Sequence, residues 1–177
     1  KLVLIDGHAL IYRAYFALPQ DMSTSRGELT NAVYGFASML LNVLRDAHPE
    51  YIAVTFDVGR TFRHDAYPDY KGTRLKMPDE LPTQMDRIRE VVHAFNIPIF
   101  ELPGYEADDL IGVMADAARH AGHEVLIVTG DLDALQLIND RISVMMTRRG
   151  ITDTKVYDAA ALQERWGITP EQVVDFK

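Results

Sequence analysis

Cysteine is absent from the 177-residue chain, so it has neither a disulfide framework nor a thiolate to act as nucleophile or metal ligand. Long hydrophobic runs are missing too. The longest, such as Leu2 to Ile5, extend four or five residues, too short to cross a bilayer or to form a secretory core. No membrane association and a reducing, cytoplasmic setting are the expectations. Basic charge is scarce: 18 Lys and Arg stand against 26 Asp and Glu, for a net charge of −8. Taken whole, that balance argues against a phosphate-binding protein. Phosphate loops, dinucleotide fingerprints and nucleophile elbows are all lacking, as no G-x-x-x-x-G-K-[ST], G-x-G-x-x-G or G-x-S-x-G occurs. The six histidines form no H-E-x-x-H or H-x-H, which disfavours zinc.

The charge that is present is unevenly placed. Residues 101–116 hold Glu101, Glu106, Asp108, Asp109 and Asp116 and no base. Residues 58–76 hold Arg60, Arg63, Lys71, Arg74 and Lys76 against Asp65 and Asp69. An acidic cluster and a basic stretch in one domain form a pattern that net charge conceals.

Residues 2–6, 51–57 and 124–129 are short apolar, β-branched runs that read as buried strands, with shorter candidates at 98–101 and 142–147. Helical stripes run between them: Val33, Phe36, Ala37, Leu40, Leu41, Leu44; Met85, Ile88, Val91, Val92, Phe95; and Ala107, Leu110, Ile111, Met114, Ala115, Ala118. The second is predicted to enter through Thr83, with Asp86 three residues on. Strands alternating with helices predict a three-layer α/β domain, a mostly parallel sheet with helices on both faces. Residues 58–82 fit no period; with Gly59, Pro68, Gly72, Pro78 and Pro82 they read as a long basic loop.

Three of the strands run into aspartates, at Asp6, Asp57 and Asp131, with Asp133 two residues further. Ligands of open parallel sheets bind at the carboxyl ends of the strands, so topology would gather these acids at one edge. Glu106, Asp108 and Asp109 open a helix after the Pro103-Gly104 turn. Each acid alone is ordinary turn or cap chemistry. Together they would repel one another unless a cation sits among them, and an all-oxygen set suits Mg²⁺ or Mn²⁺. Two such ions would suit phosphodiester hydrolysis. In the basic stretch, Arg63, Lys71 and Arg74 could contact successive phosphates and Tyr70 could stack on an unpaired base; Arg13, in the helix after Asp6, could reach a phosphate. A solvated charged loop is the plainer alternative.

Asp6-Gly7 with Ile11-Tyr12-Arg13-Ala14, Val54-Thr55-Phe56-Asp57 with Thr61-Phe62-Arg63, Tyr70-Lys71-Gly72-Thr73-Arg74, Gly104-Tyr105-Glu106-Ala107-Asp108-Asp109-Leu110-Ile111, and Thr129-Gly130-Asp131-Leu132-Asp133 occur in that order. Together they resemble the 5′-nuclease domain of bacterial DNA polymerase I, a family related to the flap endonucleases with a PIN-like core. The resemblance covers essentially the whole chain. It implies metal-dependent cleavage of 5′ ends and flaps in primer removal and excision repair, on DNA in the bacterial cytoplasm near the nucleoid, with a polymerase following on the same chain. By motif match it implies that Asp6, Asp57, Glu106, Asp108, Asp109, Asp131 and Asp133 are metal carboxylates. Arg13, Lys71 and Arg74 would grip the scissile phosphate, Tyr70 would stack near the junction, and residues 58–82 would belong to an arch over a threaded strand. The family's G-D-x-[ST]-D-N segment, which completes a second metal position, and its helix-hairpin duplex-holding module would follow Lys177. The expectation is therefore an N-terminal subdomain with one well-held ion. The alternative is a PIN-like module that binds branched or single-stranded DNA without cutting it.

Overall fold

Alternation along the buried strands decides the layering. In the computed structural model, which describes residues 1–72 and 77–176, Val3 and Ile5 of β1 (Leu2–Asp6) enter one hydrophobic cluster and Leu4 enters another. The same split recurs in β4 (Val125–Thr129), with Leu126 and Val128 on one side and Val125 and Ile127 on the other. Strands apolar on both faces are the signature of a sheet covered on both sides. On the first face lie α1 (Gly7–Ala17), α2 (Asn31–Ala47) and α4 (Leu81–Ala94), contributing Leu10, Ile11, Phe36, Leu40, Ile88 and Val92. The second face is covered by α5 (Ala107–His120), the 3-10 turn Leu132–Leu137 and α6 (Ala159–Trp166), through Ile111, Ala115, Leu135 and Leu162. The three-layer α/β expectation holds.

Six strands run in the order β3-β2-β1-β4-β5-β6, where β2 is Tyr51–Thr55, β3 Ile99–Phe100, β5 Ile142–Arg149 and β6 Asp153–Tyr157. All pair in parallel except β6, which returns antiparallel to β5. The chain builds outward from β1 through β2 to β3, then crosses to β4 on the other side of β1. That reversal opens a crevice at the carboxyl ends of β1 and β4, where open α/β sheets take their ligands.

Three sequence expectations need correction. The β6 strand and α6 were not anticipated, because an edge strand of five residues with only one buried side chain carries little apolar signal. Helix α4 begins at Leu81 rather than at Thr83. Pro82 suits the first helical turn, where its fixed φ is helical and its missing N–H has no partner to lose. Within 58–82, Phe62–Ala66 folds as a short helix, α3. Arg74, expected to hold phosphate, lies outside the described residues, as does Lys76.

A buried polar chain ties α4 to the helices before it. Thr30, at the start of α2, makes no side-chain cap. Instead Gln84 of α4 accepts the Ala32 N–H through Oε1 (2.8 Å) and donates through Nε2 to Asn31 Oδ1 (2.9 Å). Asn31 Nδ2 donates in turn to the Tyr15 carbonyl (2.9 Å). Gln84→Leu would fill the volume but strand the Ala32 N–H and the Asn31 oxygen, each worth about 1–3 kcal/mol when buried unpaired. Thermal unfolding should show a fall of about 5–20 °C for a chain of this size; an unchanged melting temperature would mean that water replaces the glutamine.

Candidate active site

Three strand ends bring their acids to the crevice. Asp6 closes β1 and caps α1, its Oδ1 accepting the Ala9 N–H (3.0 Å) while Oδ2 accepts the Thr129 hydroxyl (2.8 Å). Thr129, buried at the end of β4, also accepts the Asp131 N–H through the same hydroxyl (3.0 Å), so one side chain fixes both acids that flank the crevice. Asp131 in turn caps the 3-10 turn by accepting the Asp133 N–H (2.9 Å). Asp57 lies two residues past β2. Its Oδ1 accepts the N–H of Ala107 at the start of α5 (2.6 Å), and its own N–H donates to His8 Nδ1 (3.0 Å).

From α5 come Glu106, Asp108 and Asp109. Glu106 is the N-cap and is buried, at 4% exposure. Three side chains from residues 63–71 pair with it: Lys71 Nζ donates to Oε1 (2.8 Å), the Tyr70 hydroxyl to Oε2 (3.2 Å), and Arg63 Nη1 lies 3.7 Å from Oε2. Arg63 itself grips Asp109 through two bonds of 2.7 Å.

Burial and mutual repulsion mark two of the acids. Burial pushes the Asp6 carboxyl up to about 6 against its two hydrogen bonds, with Asp57 and Asp108 adding repulsion. Asp108 is also raised, by burial and then by Glu106 and Asp109. Asp109 is lowered, chiefly by its bonds to Arg63. Burial lowers His8, and its Nδ1 accepts the Asp57 N–H, which leaves Nε2 as the ring's donor.

A cleft of about 1360 Å³ joins these groups, lined by Asp6, Asp57, Glu106, Asp108 and Asp131 and by the bases Arg13, Lys71 and Arg89. It exceeds the roughly 300–1,000 Å³ that encloses a small ligand. Oxygen donors and cationic side chains in one lining suit a polyanionic chain held over hard cations. The donor chemistry fits Mg²⁺ or Mn²⁺, and Asp6, Asp57, Glu106, Asp108 and Asp131 line the one cleft. Among the described residues no three His, Cys, Asp or Glu side chains stand close enough to hold an ion. Glu106 is paired with Lys71 and Asp109 with Arg63. Asp109 and Asp133 do not line the cleft.

The bases expected to bind phosphate are placed as follows. Lys71 and Tyr70 are on Glu106, and Arg63 is on Asp109. Arg13 lines the cleft and donates through Nε to the carbonyl of Gly150 in the β5–β6 turn (3.0 Å). Sequence reasoning passed over His8, Thr129 and Arg89. Thr129 could have been found as the polar residue ending an apolar strand just before Gly-Asp. Arg89 gave no signal, because its place in the cleft, stacked 4.5 Å over the Phe56 ring, comes from helix packing.

Residues 1–167 match the family model described as the 5′-3′ exonuclease, N-terminal resolvase-like domain. DNA polymerase I of Bacillus subtilis is 49% identical over 178 residues, covering 100% of this chain and 20% of that protein. DNA polymerase I of Mycobacterium bovis is 48% identical over 177 residues, covering 99% of this chain and 20% of that one. The chain thus spans about a fifth of the length of the curated relatives it matches. Among solved structures, a bacteriophage T5 flap endonuclease in a pseudo-enzyme-product complex with DNA and metal ions superposes with TM-score 0.70 at 19% identity, over 98% of this chain and 63% of that one. Human GEN1 in complex with Holliday junction DNA superposes with TM-score 0.55 at 14% identity, over 99% and 42%.

Proposed function

Because the chain belongs to the 5′-3′ exonuclease family through its N-terminal, resolvase-like domain, we propose that it is the metal-holding part of a structure-specific 5′ nuclease. The observation that carries this reading is the single cleft in which five carboxylates from β1, β2, β4 and α5 share walls with Arg13, Lys71 and Arg89. Its substrate is DNA with a 5′ end or 5′ flap. Its process is primer removal and excision repair, with a polymerase on the same chain as in the curated relatives.

Asp6, Asp57, Glu106, Asp108 and Asp131 would hold Mg²⁺, or Mn²⁺ in its place, with Asp133 beside them and two ions in the complete domain. Held by these residues, such ions would supply a more acidic water and charge stabilisation for the departing oxygen of the phosphodiester. The protein's own groups position the rest. Arg13 and Lys71 donate to the scissile phosphate, joined by Arg74 from outside the described residues. Tyr70 offers a ring face to an unpaired base. The Thr129 hydroxyl holds one Asp6 oxygen in place.

Incubation with a 5′-labelled flap in Mg²⁺ or in EDTA tests the reading. Cleavage near the junction is expected in Mg²⁺ and none in EDTA. Binding without cleavage in Mg²⁺ would favour the binding-module alternative, and equal cleavage in EDTA would exclude a metal mechanism.

A further inference from the structure

Glu106 is buried, yet both its oxygens are taken by one short segment. Lys71 Nζ stands at 2.8 Å and the Tyr70 hydroxyl at 3.2 Å, with the Arg63 guanidinium 3.7 Å away. Among the described residues that segment has few other anchors. Backbone bonds hold its start, where the Phe62 N–H donates to the Gly104 carbonyl. From Tyr67 to Gly72 the described backbone bonds stay local: Tyr67 to Arg63, Tyr70 to Tyr67, Gly72 to Asp69. The described hydrogen bonds that join Tyr67–Gly72 to the fold outside residues 61–72 are the two on Glu106. Lys71 makes its contact from a left-handed backbone conformation, at φ 56°. A non-glycine residue is held there only when its surroundings over-determine it, and such residues gather at switch segments.

A buried carboxylate needs a positive partner. Lysine supplies one here, and a divalent cation would compete for the same oxygens. We propose that Lys71 and Tyr70 are a built-in counter-ion latch on Glu106, which a divalent cation displaces, so that cation binding releases the basic segment toward DNA. The inference rests on the metal reading given above and adds its control. By linkage, whatever holds Lys71 on Glu106 weakens the cation, and the cation weakens the latch by the same factor.

The test titrates Mn²⁺ alone, by calorimetry, into wild type, Lys71→Met, Lys71→Arg and Tyr70→Phe. Wild type should bind. Lys71→Met should bind roughly tenfold tighter, a usual size for coupled sites, while melting lower than wild type in EDTA. Tyr70→Phe should shift both quantities the same way by less, and Lys71→Arg should restore wild-type affinity. In wild type, amide hydrogen exchange at Tyr70 and Gly72 should speed up on adding Mn²⁺. A merely structural lysine would lower the melting temperature and leave Mn²⁺ affinity alone, and that result overturns the latch. So does equal or weaker binding by Lys71→Met, or unchanged exchange at Tyr70 and Gly72. If Lys71→Met does not fold, Tyr70→Phe decides by the same comparison. Absence of Mn²⁺ binding by wild type would remove the metal reading itself, and the latch with it.

Discussion

Asp6→Asn is expected to melt higher than wild type at pH 7 in EDTA and, on the nuclease reading proposed above, to lose cleavage of flap DNA by more than about a hundredfold, since even partners behind a metal ligand are worth roughly 10–100-fold. The two effects have one cause. Asp6 is 8% exposed, and its carboxyl is raised from 3.8 to about 6 by burial and by Asp57 and Asp108. The native protein therefore holds a proton more tightly than the unfolded chain. Its stability is undiminished by this group below pH 4, falls as pH rises, and reaches its full penalty above about 6. A shift of that size corresponds to on the order of 3 kcal/mol, or about 5–10 °C in melting temperature for this chain length. Asparagine keeps the Oδ1 that caps Ala9 and can donate to the Thr129 hydroxyl, so the fold should tolerate it. Melting both proteins from pH 4 to 7.5 in EDTA checks the sign. The variant's advantage should be near zero at pH 4 and grow toward pH 7. An advantage independent of pH would show that charge is not its source. Asp109, lowered by Arg63, moves stability the opposite way, but it is common to both proteins and cancels.

Gly7→Ala should damage both stability and cleavage, for a reason the Asp6-Gly7 pair does not announce. A turn glycine is prized for positive φ, but Gly7 opens helix α1 and is not among the residues with positive φ. What it supplies is room. A Cβ there would stand 2.2 Å from one Phe56 ring carbon and 2.5 Å from another. Phe56 cannot retreat easily: it is 1% exposed, with Arg89 4.5 Å above its ring and the His8 ring edge-on at 5.8 Å. Overpacking of this kind costs about 1–3 kcal/mol, so a fall of roughly 3–10 °C is expected. Asp57 is the next residue, and a displacement near 1 Å at a reacting group can cost about a hundredfold in rate. Adding Phe56→Leu should recover most of the lost stability. If Gly7→Ala alone melts and cuts like wild type, the Gly7–Phe56 contact is looser than its packing indicates.

Much of this protein is legible in its amino acids alone. Strands apolar on both faces, alternating with amphipathic helices, admit little besides a covered parallel sheet, because each face must be buried by something. Asp6, Asp57 and Asp131 are placed by the same logic, each following an apolar run that can only be a strand. The helix stripe after Glu106 puts Asp108 and Asp109 in a first turn whatever the tertiary structure does. Strand order is another matter. That β4 pairs with β1 rather than extending from β3 depends on packing between residues more than a hundred positions apart, and it is this pairing that lets Thr129 reach Asp6. Periodicity carries no information on such a choice.

Charge partners were equally out of reach. The acids read as one repelling cluster because composition counts them and ignores their neighbours. The fold instead sets Lys71 and Tyr70 on Glu106 and Arg63 on Asp109, from a stretch with no period to read. Sequence determined which groups could hold a cation and which could meet a phosphate. Only the tertiary structure decided that, with the cleft as it stands, those two sets hold each other, because pairing them in place removes the cost of a buried, unpaired carboxylate.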